Sequence, residues 1–415
     1  MGLDMEAAVT PLGGRGELDI DGRDEVKITR VRTRVVEWRG PTVPMQAHFC
    51  TNPMDLVAEA ADSMSPFCFH GWLLVELFTD SGHVGIGEAA LAPRLTKAAI
   101  DTYLTPLLLG RNPWDVELLW QIMYRHTMAW GRKGVGMTAI SAVDIAIWDL
   151  LGKLTGQPVY RLLGGRTKSR IPLYASRLYS QDLESLAEEA TRYRDAGFRA
   201  MKLRFGWGPV DGAAGMQRNV ELVRTVRETV GDEVDVMADA YMGWTLDYAR
   251  RMIPLLEPFD LRWLEEPVIP DDIRGYAELN AMGRIPIAGG EHEFTLHGFR
   301  ELLEARAVSC IQFDTSRVGG ITQARKVLAL AEAHAVPVVP HAGQLHNYHV
   351  VMSSLNAPMA EFFPRVDVEV GNELFWYIFD GEPEPENGSI DLRSDVPGLG
   401  LTIREDELAK FAVIE

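Results

Sequence analysis

Eight ionisable residues recur through the second half of the chain: Lys202 and Arg204, then Asp239, Glu265, Glu291, Asp314, His341 and Glu361. Steps of 26, 26, 23 and 27 positions lead from Asp239 to Glu265, Glu291, Asp314 and His341. Each residue closes a short, mostly apolar segment: "AMKLRFG", "VDVMADAY", "LRWLEEP", "IPIAGGEHE", "SCIQFDTS", "VPVVPHAG" and "MAEFFP". One charged residue after a strand is as often the solvated start of a loop as a functional group. Three carboxylates converging from neighbouring strands repel one another strongly unless a cation lies between them. Asp239, Glu265 and Glu291 form such a set, and hard oxygen ligands with positions left open for water and substrate suit Mg²⁺.

The stretches between these segments, such as "DLESLAEEATRYRDAG" and "TQARKVLALAEAHA", carry helical periodicity. Strands alternating with helices at this interval give right-handed parallel βαβ units. Seven or eight of them, beginning at "IPLYASRL", predict an α/β closed barrel. The polar residues then return to its C-terminal rim, where barrel enzymes keep their chemistry. A doubly wound sheet is the alternative, but no GxGxxG or GxxxxGK[ST] turn follows the first strand. Ahead of the barrel, "VKITRVRTRVV" alternates as a strand does, and "GWLLVELFTDSGHVGIGEAAL" reads as two strands about an Asp-Ser-Gly turn. Long helical stretches follow, so residues 26–160 predict a separate α+β domain. Residues 1–25, with Gly13, Gly14 and Gly16, read as a loose extension.

A chain of 415 residues favours two domains. Forty-one basic against fifty-nine acidic side chains leave a net charge of −18. That charge repels phosphate backbones and anionic lipid, so neither nucleic acid nor membrane is an expected partner. An anionic ligand needs a local cation to overcome this field, which again points to a metal. Cys50, Cys68 and Cys310 show no CxxC spacing and fit a reducing cytoplasm. Asp4 and Glu6 precede any apolar stretch, unlike a signal peptide. No run approaches the roughly 18 apolar residues of a membrane span. Asn387-Gly388-Ser389 reads as a tight turn.

"RWLEEP", "GGEHEF", "IQFDTSRVGGIT" and "VVPHAG" resemble motifs of the enolase superfamily, mandelate racemase subgroup. The resemblance runs from about Val26 to the end. It implies a modified TIM (β/α)7β barrel over 161–370 and an α+β capping domain over 26–160. Residues 371–415, containing "VPGLGLTI", are then the return to the cap. "KLRFGWGPVDG" and "PHAGQLHNYH" are similar to the acid-sugar dehydratases, in particular those acting on L-rhamnonate and L-lyxonate.

The resemblance also implies roles. Asp239, Glu265 and Glu291 would bind Mg²⁺, with Glu266 facing elsewhere, and the ion would stabilise the enediolate formed when the proton beside a sugar-acid carboxylate is removed. His341 would move the proton, with Asp314 holding its ring. Lys202-Leu203-Arg204 departs from the subgroup's Lys-x-Lys. Arginine stays protonated and is a poor base, so Lys202 and Arg204 are assigned to charge stabilisation and orientation. Glu361 would be a protonated donor to the substrate carboxylate, its pKa raised by burial. His292 and His349 are candidate substrate contacts in the barrel, Glu293 a structural residue. In the cap His48 is the first candidate contact and His70 the next.

The leading expectation is a Mg²⁺-dependent lyase: a cytoplasmic dehydratase of a small sugar acid, with a homo-oligomer expected because such folds commonly form one. A racemase or epimerase of the same subgroup is the alternative, and a metal- and ligand-binding protein without catalysis the remote one.

Overall fold

A computed structural model of the chain describes residues 26–43, 49–57 and 70–415. The cap is built on an antiparallel sheet whose strands run, edge to edge, Phe411–Ile414, Ile28–Trp38, Gly71–Thr79 and Val84–Ala89. The C-terminal strand thus lies beside the first strand described, with Ile414 opposite Val35 and Phe411 opposite Trp38. On Val84–Ala89, side chains alternate between the two faces. A Cβ on Gly85 or Gly87 would come within 2.1 or 2.0 Å of the carbonyl oxygen of Ala146 or Ala142, so the helix Val135–Thr155 lies directly against this strand. Ile86 and Glu88 therefore occupy the opposite face.

The helix Val135–Thr155 is long and apolar enough to cross a membrane by length and composition, yet 94% of its apolar window is buried inside the fold. The sequence expectation of no such run overlooked it because Asp144 and Asp149 interrupt the apolar stretch. Both acids are fully buried and bound. Asp144 accepts from Thr322 N–H at 2.9 Å and its hydroxyl at 2.5 Å; Asp149 accepts from Ile86 N–H and Leu399 N–H at 2.8 Å each. One helix thereby pins the cap sheet, a barrel helix and the C-terminal segment together.

The barrel strands are Ile171–Ser176, Ala200–Arg204, Asp235–Asp239, Leu261–Glu265, Ile287–Gly289, Cys310–Ile311 and, last, Ala360–Phe362, which pairs in parallel with the first. A further strand position, Val338 to His341, joins the sixth through the parallel bridges Ile311–Val338 and Asp314–His341. Its seam with the last strand is held by Ala342 N–H donating to Glu361 Oε2 at 2.7 Å. Asn387 and Gly388, at φ 50° and 66°, form the expected two-residue turn. It delivers Ser389–Ile390 to the N-terminal end of the first barrel strand before the chain returns to the cap.

Two layers inside the barrel explain the sequence ladder. Tyr174, Ala200, Met237, Trp263, Ala288, Cys310, Val339 and Met359, one from each strand position, pack into a separate apolar cluster. Two residues further along each strand, hence on the same inward face, stand Ser176, Lys202, Asp239, Glu265, Gly290, Gln312, His341 and Glu361. An apolar floor thus carries a polar ring, interrupted only at Gly290.

Candidate active site

Lys202 sits at the centre of the ring with no exposed surface. Its Nζ donates to Glu265 Oε1 and lies 3.1 Å from Glu361 Oε1 and 3.5 Å from Asp239 Oδ2. Arg204, Asp239 and Glu265 face one another across adjacent strands in direct register, and Arg204 Nη1 donates to Asp239 Oδ2 at 2.6 Å. The second oxygen of Glu265 accepts from Trp263 Nε1 at 2.9 Å and Gln312 Nε2 at 2.7 Å. Burial alone would strip the proton from Lys202, but Glu265, Glu361 and Asp239 outweigh it and hold the ammonium charged above its ordinary range. Burial likewise opposes the charge of Arg204, and Asp239 leads the groups that restore it.

Glu361 corrects an expectation. Burial raises its pKa, but Lys202 and then His341 outweigh burial, and the carboxyl is held below its usual value. It is therefore ionised beside the ammonium. Glu265 goes the other way: burial, opposed by Lys202 and reinforced by the surrounding acids, pushes it up to about 8.

The other half of the site is made where the chain leaves strand alternation. Gly290, at φ 123°, turns the backbone so that Glu291 reaches the mouth. Its Oε1 lies 3.3 Å from Arg317 Nη1, 3.5 Å from His341 Nε2 and 3.8 Å from His292 Nε2. These cations outweigh burial and hold Glu291 down to about 2. Glu266, at φ 39°, is also turned back, and its Oε2 lies 2.8 Å from His292 Nδ1. As expected, it faces elsewhere: it lies with Tyr276, Gly289 and Glu293 rather than in the lining of the cleft, and touches the site only through His292.

Asp314 caps the turn that follows it, its Oδ1 accepting from Ser316 N–H and hydroxyl at 2.7 Å each. Its Oδ2 receives His341 Nδ1 at 2.9 Å and Arg317 Nε at 3.1 Å. Arg317 and His341 override burial and hold Asp314 well below the usual carboxylate range. Burial would lower the pKa of His341, but Glu291 and Asp314 raise it above the ordinary histidine value. With Nδ1–H given to Asp314, Nε2 is the atom free for proton transfer.

A cleft opens above these groups, between the cap residues Trp72, Glu88, Ala90 and Leu91 and the barrel residues Arg204, Tyr241, Glu291, Asp314, Arg317 and His341. His349 is not among them. Its Nδ1 accepts from Tyr160 N–H at 3.0 Å, and its Nε2 lies 3.0 Å from the Leu399 carbonyl, to which it donates. The expected substrate contact is thus a buried pin between barrel and C-terminal segment, because residues 345–352 form a helix rather than an open loop. His70 faces a different groove, its Nε2 2.9 Å from the Glu369 carbonyl. His48 lies outside the described residues. Glu293 pairs with Lys133 at 2.8 Å, joining cap to barrel. Sequence reading missed Arg317, Gln312 and Trp263; for the last two, position in the inward layers was the available sign.

Residues 185–407 match the enolase C-terminal domain-like family, and residues 61–164 match the mandelate racemase / muconate lactonizing enzyme N-terminal domain. The chain belongs to the enolase superfamily. It is 36% identical, over 92% of its length and 97% of the relative's, to an L-rhamnonate dehydratase of Saccharopolyspora erythraea. The solved L-rhamnonate dehydratase of Gibberella zeae has a TM-score of 0.80 and 31% identity, covering 95% of this chain and 97% of that one. A racemase of Streptomyces coelicolor with bound magnesium has a TM-score of 0.79 and 29% identity, covering 93% and 99%.

Whether this superfamily member's residues fit such an ion can be judged from its own donors. Asp239, Glu265 and Glu291 offer carboxylate oxygens from three consecutive strand ends, the chemistry a hard divalent cation requires. Among the described residues, the ligand atoms gathered within 4.8 Å of one another are instead those of Glu266, Glu291 and His292. That trio includes an imidazole, a softer ligand than Mg²⁺ favours, and His292 is already engaged with Glu266. Asp239, Glu265 and Glu291 are not gathered in that way: Asp239 is paired with Arg204, Glu265 with Lys202 and Glu291 with Arg317. By donor chemistry alone, the oxygen set is the one suited to a hard divalent cation.

Proposed function

We propose that the chain is a Mg²⁺-dependent dehydratase of a sugar acid, an aldonate of the L-rhamnonate or L-lyxonate kind, giving a 2-keto-3-deoxy acid. The observation that carries this reading is the inequality of the bases around the cleft. His341 presents Nε2 with Asp314 behind it, whereas Arg204 is a guanidinium that stays protonated and cannot accept a proton. Racemisation needs a proton acceptor on each face of the reacting carbon. β-Elimination needs one group that serves in turn as base and acid.

Held by Asp239, Glu265 and Glu291, Mg²⁺ would act as a Lewis acid toward the substrate carboxylate. His341 Nε2 takes the C2 proton, and the electron pair left on C2 forms the C2–C3 double bond as the C3–O bond breaks. The imidazolium, stabilised by Asp314, returns its proton to the departing hydroxyl, which leaves as water. The enol then tautomerises to the 2-keto acid. Lys202 and Arg204 hold positive charge beside the carboxylates throughout, and Arg317 ties Glu291 to the Asp314–His341 pair. The named activity of the relatives supports the sugar-acid reading.

The test is a panel of aldonates with Mg²⁺, including L-rhamnonate, L-lyxonate, L-mannonate and D-gulonate, assayed for 2-keto-3-deoxy products. Turnover of one or more, lowered about 10²- to 10⁴-fold in His341→Asn, is expected. Deuterium exchange at C2 without loss of water would replace this reading with an epimerase.

A further inference from the structure

Glu88 belongs to none of the steps above, yet it lines the same cleft. It projects from the cap strand Val84–Ala89 on the face turned away from the long helix, and it is 2% exposed. Its Oε1 makes no hydrogen bond. Nδ1 of His346 lies 3.2 Å from that atom but not in hydrogen-bond geometry. Neither ring nitrogen of His346, itself 1% exposed, has a hydrogen-bond partner. Three buried polar atoms from the two domains are therefore left unsatisfied together, Glu88 in the cleft wall and His346 beside it outside the lining. Buried polar groups are normally hydrogen-bonded, and an exception facing a cleft is a place where a bound molecule can supply the missing partner.

Chemistry narrows what that ligand is. Burial pushes Glu88 well above the usual carboxylate range, with Asp314 and Glu382 adding and Arg317 opposing. Burial pushes His346 down to about 4, with Asp314 opposing. A neutral carboxyl and a neutral imidazole can each both donate and accept. Their natural complement is a hydroxyl, which also does both, rather than an ion. The reacting end of a sugar acid is occupied elsewhere: its carboxylate at the acidic ring, and C2 and C3 at His341. Only the hydroxyls further along the chain are left for the cap.

We propose that Glu88, supported by His346, is a specificity-determining residue that recognises a hydroxyl at C4 or beyond in the substrate's polyol tail. This rests on the sugar-acid reading and assigns to the cap strand a contact separate from the chemistry. Glu88→Gln keeps a donor and an acceptor at the same place; Glu88→Leu keeps the length and removes both. Dissociation constants by calorimetry, together with kcat and KM, are measured for aldonates and their tail-deoxy analogues in wild type and both variants. Glu88→Leu is expected to weaken binding and raise KM for hydroxylated substrates by about 10²-fold, with kcat changed far less and deoxy analogues little affected. Glu88→Gln is expected to restore most of the preference. A loss shared equally by all substrates, or no loss at all, overturns the proposal and leaves Glu88 as a structural partner of His346. If wild type binds no sugar acid, the functional reading fails and this one with it. If wild type binds and discriminates but Glu88→Leu keeps the same discrimination, this one alone fails.

Discussion

At His341 two carboxylates outweigh desolvation: Asp314 Oδ2 at 2.9 Å and Glu291 Oε1 at 3.5 Å both favour the charged ring. The base in the proposed reaction is the neutral imidazole. Activity must then rise with pH along an acidic limb of kcat/KM, whose midpoint Asp314 raises; Glu291 adds to that rise only while it holds no Mg²⁺. Asp314→Asn removes one of the two stabilising charges and should move that midpoint downward. A midpoint that does not move in Asp314→Asn would contradict the arrangement. Much of this chemistry is legible in the sequence because Lys202, Asp239, Glu265, His341 and Glu361 share the inward strand face, so the βα repeat and the strand alternation select the same positions. Arg317 follows neither rule. A helical turn after Asp314 aims it, and no hydrophobic period records it. The charge of Glu361 was misjudged for a related reason: burial was foreseen, but not the ammonium 3.1 Å away.

Among the elements, the loop after the fifth barrel strand shows how a single backbone angle serves the site. Gly290 has φ 123°, and a Cβ there would lie 2.8 Å from Cε1 of the Phe299 ring. Gly290→Ala should therefore cost about 1–3 kcal/mol in backbone strain alone, measured by denaturant unfolding. Because Glu291 is the next residue, Mg²⁺ affinity should fall in the same variant. An unchanged affinity would show that the carboxylate does not depend on this turn. The strand–helix alternation and the Asn387-Gly388 turn were readable from period and turn chemistry. The path of helix 345–352 was not, since a histidine every third residue in "HNYH" does not say which flank packs inward; His349 was consequently expected at the substrate. Glu88 was equally hidden, because the glycines that set its face, Gly85 and Gly87, declare themselves only when the helix is seen lying on them.

For the whole molecule, the concentration of buried acids makes an ion a source of stability. Mg²⁺ that binds the folded state alone should raise the thermal midpoint, by about 2.7 kcal/mol of stability at a hundredfold excess over Kd. The rise should vanish in Asp239→Asn and survive in Glu266→Gln; the reverse pattern would move the ion to the Glu266, Glu291 and His292 group. Cap and barrel act as one body through the bound acids of the helix Val135–Thr155 and through the C-terminal strand that completes the cap sheet. The floor of eight apolar side chains beneath the polar ring carries a further consequence. It makes the reaction chamber a blind well. The water split from a substrate has no way down through the barrel and must depart past the cap, by the same opening that admitted the sugar acid, so entry and exit share one route.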